Sequence, residues 1–107
     1  MITVAIDFDD TITAIPEAVA VFVNALIDGG HRPIVVTRRY DTEENRKDLQ
    51  SFLDEHAIKV ACVVFAGQFA KQVAANQAGE SVDIWMDDSP ETIAPRAMRV
   101  LKRPLRR

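Results

Sequence analysis

Disulfide staples are excluded, because the chain contains a single cysteine, Cys62. That residue lies inside the apolar run Val60-Ala61-Cys62-Val63-Val64-Phe65, which predicts a small buried side chain. A domain built without disulfides fits a reducing compartment, so the cytosol is expected. No apolar run reaches the roughly 20 residues that a membrane-spanning helix needs, and no membrane partner is expected. The opening Met1-Ile2-Thr3-Val4 lacks the charged n-region and apolar h-region of a signal peptide. Internal repeats, low-complexity stretches and linkers are missing as well. The 107 residues suffice for one hydrophobic core and not for two, so a single domain spanning 1–107 is predicted.

Acids are missing from residues 96–107. This segment carries Arg96, Arg99, Lys102, Arg103, Arg106 and Arg107, leaving seven of the thirteen bases against all sixteen acids on the body. A basic tail is either an arm for polyanions such as nucleic acid or a solvated helix end at the negative pole of the helix dipole. Aromatic residues for base stacking are not interleaved with these charges, which favours the helix end.

What is present is a rhythm of apolar runs and amphipathic segments. Ile2 to Ile6, Pro33 to Thr37, Lys59 to Ala66 and Val82 to Met86 read as buried strands. Between the first two, Pro16 opens a helix whose Val19, Phe22, Val23, Leu26 and Ile27 share one face. Asp28-Gly29-Gly30 stops it. A second helix follows Tyr40-Asp41-Thr42, with Leu49, Phe52 and Leu53 apolar and Glu43 placed to pair with Lys47. A third runs from Phe69 to Ala78 and contains Lys71, and Ser89-Pro90-Glu91 begins a last helix leading into the basic tail. Strands alternating with helices predict right-handed crossovers and an α/β fold with a parallel, doubly wound sheet. Trp85 and Met86 read as core, and His31 and His56 as surface residues away from any site.

Chemistry gathers where the strands end. The first strand runs into Asp7-Phe8-Asp9-Asp10-Thr11, the second into Thr37-Arg38-Arg39, and the fourth into Asp87-Asp88, while Lys71 follows the third. In an open parallel sheet those carboxyl ends share the edge where ligands bind. Crowded carboxylates repel one another, and a hard cation such as Mg²⁺ with its preference for oxygen ligands relieves that. Acids for a metal, a hydroxyl for a phosphate oxygen and a lysine to balance charge make a phosphoryl-transfer site. The competing reading of the first turn is an acidic helix cap.

These residues resemble the motifs of the haloacid-dehalogenase-like superfamily of phosphohydrolases. The family shows Asp-x-Asp-x-Thr/Val after the first strand, a Thr or Ser after the second, a lysine ahead of the fourth, and paired acids after it. Here Asp7-Phe8-Asp9-Asp10-Thr11, Thr37, Lys71 and Asp87-Asp88 stand in that order. The resemblance implies a three-layer α/β/α, Rossmann-like sheet of about four strands in the order 3-2-1-4. It implies a phosphatase cleaving a phosphate monoester through an aspartyl-phosphate intermediate. Asp7 would be the nucleophile and Asp9 the proton carrier. Asp7, the backbone carbonyl of Asp9, Asp87 and Asp88 would form the Mg²⁺ site, while Thr37 and Lys71 would grip phosphoryl oxygens. Arg39 matches an arginine that often follows the hydroxyl and would reach a substrate phosphate bidentately. Arg38 stands where many members have glycine, which puts close backbone approach there in doubt.

Several assignments carry alternatives. Asp10 reads as structural, since the family leaves that position variable. Asp88 either ligates through water or caps the last helix, and the two duties are compatible. Lys59 rivals Lys71 but begins its strand at the far edge of the sheet. Family members often insert a cap domain after the first or third strand, and the intervals here leave no room for one. An open site is therefore expected, suited to bulky esters such as nucleotides or polynucleotide ends, glycans or phosphoproteins. The alternative to an enzyme is a non-catalytic phosphate- or Mg²⁺-binding module or a phosphoacceptor like the receiver domains. Receivers carry their phosphoacceptor aspartate after the third strand, where this chain has Ala66-Gly67.

Overall fold

A computed structural model describes residues 1–95; the basic segment 96–107, and with it both readings of the tail, lies outside the described residues. The elements run β1 (Thr3–Ile6), α1 (Pro16–Asp28), β2 (Arg32–Thr37), α2 (Glu43–Glu55), β3 (Val63–Phe65), α3 (Lys71–Gln77) and β4 (Ile84–Met86). All four strands are parallel in the order β3-β2-β1-β4, as expected. Ile6 of β1 lies opposite Val35 of β2 on one side and Met86 of β4 on the other.

This order follows from chain direction. From β1 the chain steps outward through β2 to β3, and α1 and α2 fall on one face. It then returns past β1 to β4, and a right-handed crossover places α3 on the opposite face. Alternation along the strands serves both faces. Val4, Ile6 and Val35 pack with Val19 and Val23 of α1 and with Leu49 and Leu53 of α2. Ala5, Ile34, Val36 and Val64 pack with Ala74 and Ala75 of α3, whose small side chains let that short helix lie close. The reversal of direction at β1 makes its carboxyl end, beside β4, the switch point of the sheet.

Local chemistry explains the boundaries. Pro16 starts α1, and the helix ends as Gly30 turns left-handed at φ 81°. There the Gly30 N–H donates to Ile27 O at 3.0 Å and the His31 N–H to Leu26 O at 2.8 Å, the paired bonds of a Schellman stop. At the start of α2 the Thr42 hydroxyl accepts from the Asn45 N–H at 3.1 Å, and Glu43 and Lys47 make the expected exposed pair.

Some expectations are corrected. The apolar face of α1 is narrower than its sequence suggests, for Val19 and Val23 are buried while Phe22 and Ile27 are exposed. The third strand is shortened to Val63–Phe65; upstream, Ala61 N–H donates to Pro33 O without a continuous ladder. Cys62 is half-buried rather than core, with Sγ 3.7 Å from Glu80 Oε2. Its burial, and then the Glu80 charge, push the thiol up from its ordinary value. Trp85 and Met86, on the other edge strand, are half-buried against opposite faces. His31 and His56 are half-buried too, His31 accepting from the Ile2 N–H at 3.0 Å. Ser89-Pro90-Glu91 opens only a short 3-10 turn, Pro90–Thr92, and any continuation into the tail lies outside the described residues. Among the described residues, no helix is long and apolar enough to cross a membrane.

Candidate active site

The first acidic turn is built by backbone geometry. Asp7 leaves β1 with its N–H donating to Met86 O at 2.9 Å, which ties the turn to β4. From there the chain makes a wide helical turn over Phe8–Ile12. The N–H groups of Ile12 and Thr13 reach back five residues to Asp7 O at 3.3 Å and Phe8 O at 3.1 Å. Within it Asp9 is extended and Asp10 is left-handed at φ 62°, a conformation that aspartate tolerates better than most residues. The Asp10 N–H donates to Thr13 Oγ1 at 2.9 Å, so the Asp10 backbone shapes the turn, while the exposed residue also lines the acidic cleft.

At the switch point Lys71 is buried to 1% exposure, among the most enclosed side chains described. Its Nζ donates to Asp7 Oδ1 at 2.8 Å and to Asp87 Oδ2 at 2.5 Å, bridging β1 and β4 from α3. The Thr11 hydroxyl donates to Asp7 Oδ2 at 3.2 Å and lies 3.5 Å from Asp88 Oδ1. The Ser89 N–H donates to Asp87 Oδ1 at 2.9 Å, which fixes the orientation of that carboxylate. Burial, outweighing the pull of Lys71, raises the Asp7 carboxyl from 3.8 to about 6, with Asp88 and Asp87 adding to the rise. The side chain has two donors and is still short of positive charge.

The four strand ends thus meet as expected, with differences of detail. Lys71 is the first residue of α3 rather than the third of a helix begun at Phe69, because residues 66–70 form a turn closed by the Phe69 N–H on Ala66 O. Lys59, its rival, is exposed and lines a groove of about 700 Å³ between α2 and residues 58–65 that shares no residue with the acidic cleft. Thr37 is buried at the end of β2, where its Oγ1 accepts from the Arg39 N–H at 3.3 Å.

The two arginines divide differently from the sequence expectation. Arg39 holds both oxygens of Asp9, at 3.0 and 2.9 Å, with its guanidinium 5.2 Å from the centre of the Phe8 ring. Arg38 instead lines the acidic cleft of about 160 Å³, together with Asp7, Asp9, Asp10, Lys71 and Asp88. Its Nε donates to Gly67 O at 2.9 Å. Sequence reasoning missed that role, although the replacement of glycine by arginine was its signal. It also missed Thr11 as a donor to Asp7, and Ser89 and Thr92 on the cleft wall.

The donor set suits a hard cation. Carboxylate oxygens of Asp7, Asp87 and Asp88 lie within 4.8 Å of one another, all ligands are oxygens, and Asp7 sits in surroundings that penalise its charge. Compared with models of known protein families, with curated proteins and with solved structures, the chain matches none.

Proposed function

We propose that the chain is a Mg²⁺-dependent phosphohydrolase of the haloacid-dehalogenase-like kind, acting on a phosphate monoester in an open site. One observation carries this reading: a buried aspartate at the sheet's switch point, held by Lys71 and Thr11 and faced by Asp87 and Asp88. A purely structural ion pair needs one acid for Lys71. Three acids within ligand distance, one of them strained by burial, is the arrangement that a cation and a phosphate complete.

Asp7, Asp87 and Asp88 would hold the cation. When bound it would neutralise the carboxylates and the phosphate so that anion can approach anion. The chain's own residues do the rest. An oxygen of Asp7 attacks phosphorus in line with the ester oxygen; the new Asp7–phosphorus bond forms as the ester bond breaks. Asp9 delivers the proton that the departing alkoxide needs, then takes one from the water that releases inorganic phosphate from Asp7. Both Asp9 oxygens accept from Arg39 here, so Asp9 exchanges that partner before carrying a proton. Lys71 and Thr37 donate to the phosphoryl oxygens as charge shifts onto them. The single free cysteine supports a cytosolic setting.

Asp7→Asn is expected to reduce hydrolysis of a generic aryl phosphate in Mg²⁺ to background while circular dichroism stays native. Equal turnover in wild type and variant overturns the nucleophile assignment. A stable phosphoryl group on Asp7 without turnover would mark a phosphoacceptor module instead.

A further inference from the structure

Resting on that reading, we infer that the phosphate ester taken by this site is a nucleotide, its phosphate in the cleft beside Arg38 and its base against Tyr40 and Phe69. Both aromatic residues sit on loops at the carboxyl edge of the sheet, Tyr40 after β2 and Phe69 after β3. They are 61% and 51% exposed.

The two loops are laced together at Gly67. The Arg38 Nε donates to Gly67 O, the Gly67 N–H to Arg39 O at 3.3 Å, and the Ala66 N–H to Thr37 O at 2.7 Å. A Cβ on Gly67 would stand 3.0 Å from the Tyr40 ring, and the residue is left-handed at φ 58°, so glycine is what allows ring and loop to touch. Asn45 Nδ2 and the Thr42 N–H both donate to Tyr40 O, at 2.9 Å each, fixing the backbone that carries the ring. The result is a pre-formed pair of loops in which Arg38 and Lys71 line the cleft and an exposed aromatic residue stands two positions along the chain from each, Tyr40 and Phe69. A small sugar or glycerol phosphate would leave those rings in water, whereas a nucleobase covers them. Because no inserted domain closes the site among the described residues, the nucleotide is either free or the terminal residue of a single strand.

The test compares kcat/KM for a nucleoside 5′-monophosphate, a 5′-phosphorylated single-stranded oligonucleotide and glycerol phosphate. Wild type is expected to favour the nucleotide esters by about 10-fold or more, the range of one stacked base. Tyr40→Ser and Phe69→Ser should bring that ratio towards one, and Arg38→Gln should raise KM for the phosphate esters. Preference for the oligonucleotide over the monophosphate assigns strand ends; the reverse assigns free nucleotides. A wild-type ratio near one, or a ratio that both serine variants leave intact, overturns the inference. In parallel, equilibrium binding of the monophosphate to Asp7→Asn protein in Mg²⁺ should weaken about 10-fold on adding Tyr40→Ser. If no ester is hydrolysed, the phosphohydrolase reading fails on its own, and this binding measurement alone decides the platform: unchanged affinity overturns it.

Discussion

Asp7 binds its proton more tightly in the folded chain than in the unfolded one, because burial outweighs the help it receives from Lys71. Between about 3.8 and about 6 the native state therefore holds a proton that the unfolded state has released. Stability contributed by this residue is fully present below that window and is lost as pH rises through it. Asparagine keeps the shape of the side chain and removes the charge. In metal-free solution the stability of Asp7→Asn relative to wild type should consequently improve as pH climbs from 4 to 7. Urea midpoints measured across that range check it, and a difference that stays flat or runs the other way contradicts the burial argument. At the same scale the tie between Arg39 and Asp9 was not readable from the sequence. Their separation of 30 positions leaves no periodic trace, and only the fold brings the guanidinium over Phe8.

Helix ends show how far local chemistry carries. The stop of α1 was announced by Asp28-Gly29-Gly30, but α2 ends without a glycine. Ala57 takes the left-handed position there at φ 54°, with its N–H on Asp54 O at 3.2 Å and the Ile58 N–H on Leu53 O at 2.9 Å. An L-residue with a Cβ pays roughly 1–2 kcal/mol in that conformation, partly offset by the greater freedom glycine has when unfolded. Ala57→Gly should thus stabilise the domain by about 0.5–1 kcal/mol, read as a higher denaturation midpoint with an unchanged slope. A lower midpoint would mean that the Ala57 methyl group makes packing the cap argument ignores. Element sequence and a parallel sheet were legible because buried runs and amphipathic helices alternate without interruption, whereas the strand order was implied only by the resemblance. Boundaries were less legible wherever an element is short or at an edge. The β3 ladder has a partner on one side only, and the turn at Gly67 delays α3 until Lys71. That delay makes Lys71 the first residue of its helix, where its side chain reaches the ends of two strands at once.

Across the whole molecule, the acids of two strand ends make the fold a poor host for its own charge, which a bound cation would relieve. Lys71 neutralises only part of the Asp7, Asp87 and Asp88 cluster, and the Asp7 carboxyl is raised chiefly by its burial and further by Asp88 and Asp87. A cation that binds the native cluster and not the unfolded chain adds stability in proportion to the logarithm of its concentration over Kd, about 2.7 kcal/mol at one hundred times Kd. For a domain of this size, 1 kcal/mol moves Tm by roughly 4–8 °C, so saturating Mg²⁺ should raise it by about 10 °C or more. EDTA should reverse the rise. Asp87→Asn and Asp88→Asn should each shrink the Mg²⁺-induced shift, whatever they do to the metal-free baseline, because each removes one oxygen donor. The shift should also fade as pH drops below about 6, where Asp7 keeps its proton and the cation must displace it. A Tm indifferent to Mg²⁺ at pH 8 would leave the three carboxylates as an ion-pair cluster around Lys71, and would remove the metal from the proposed reaction.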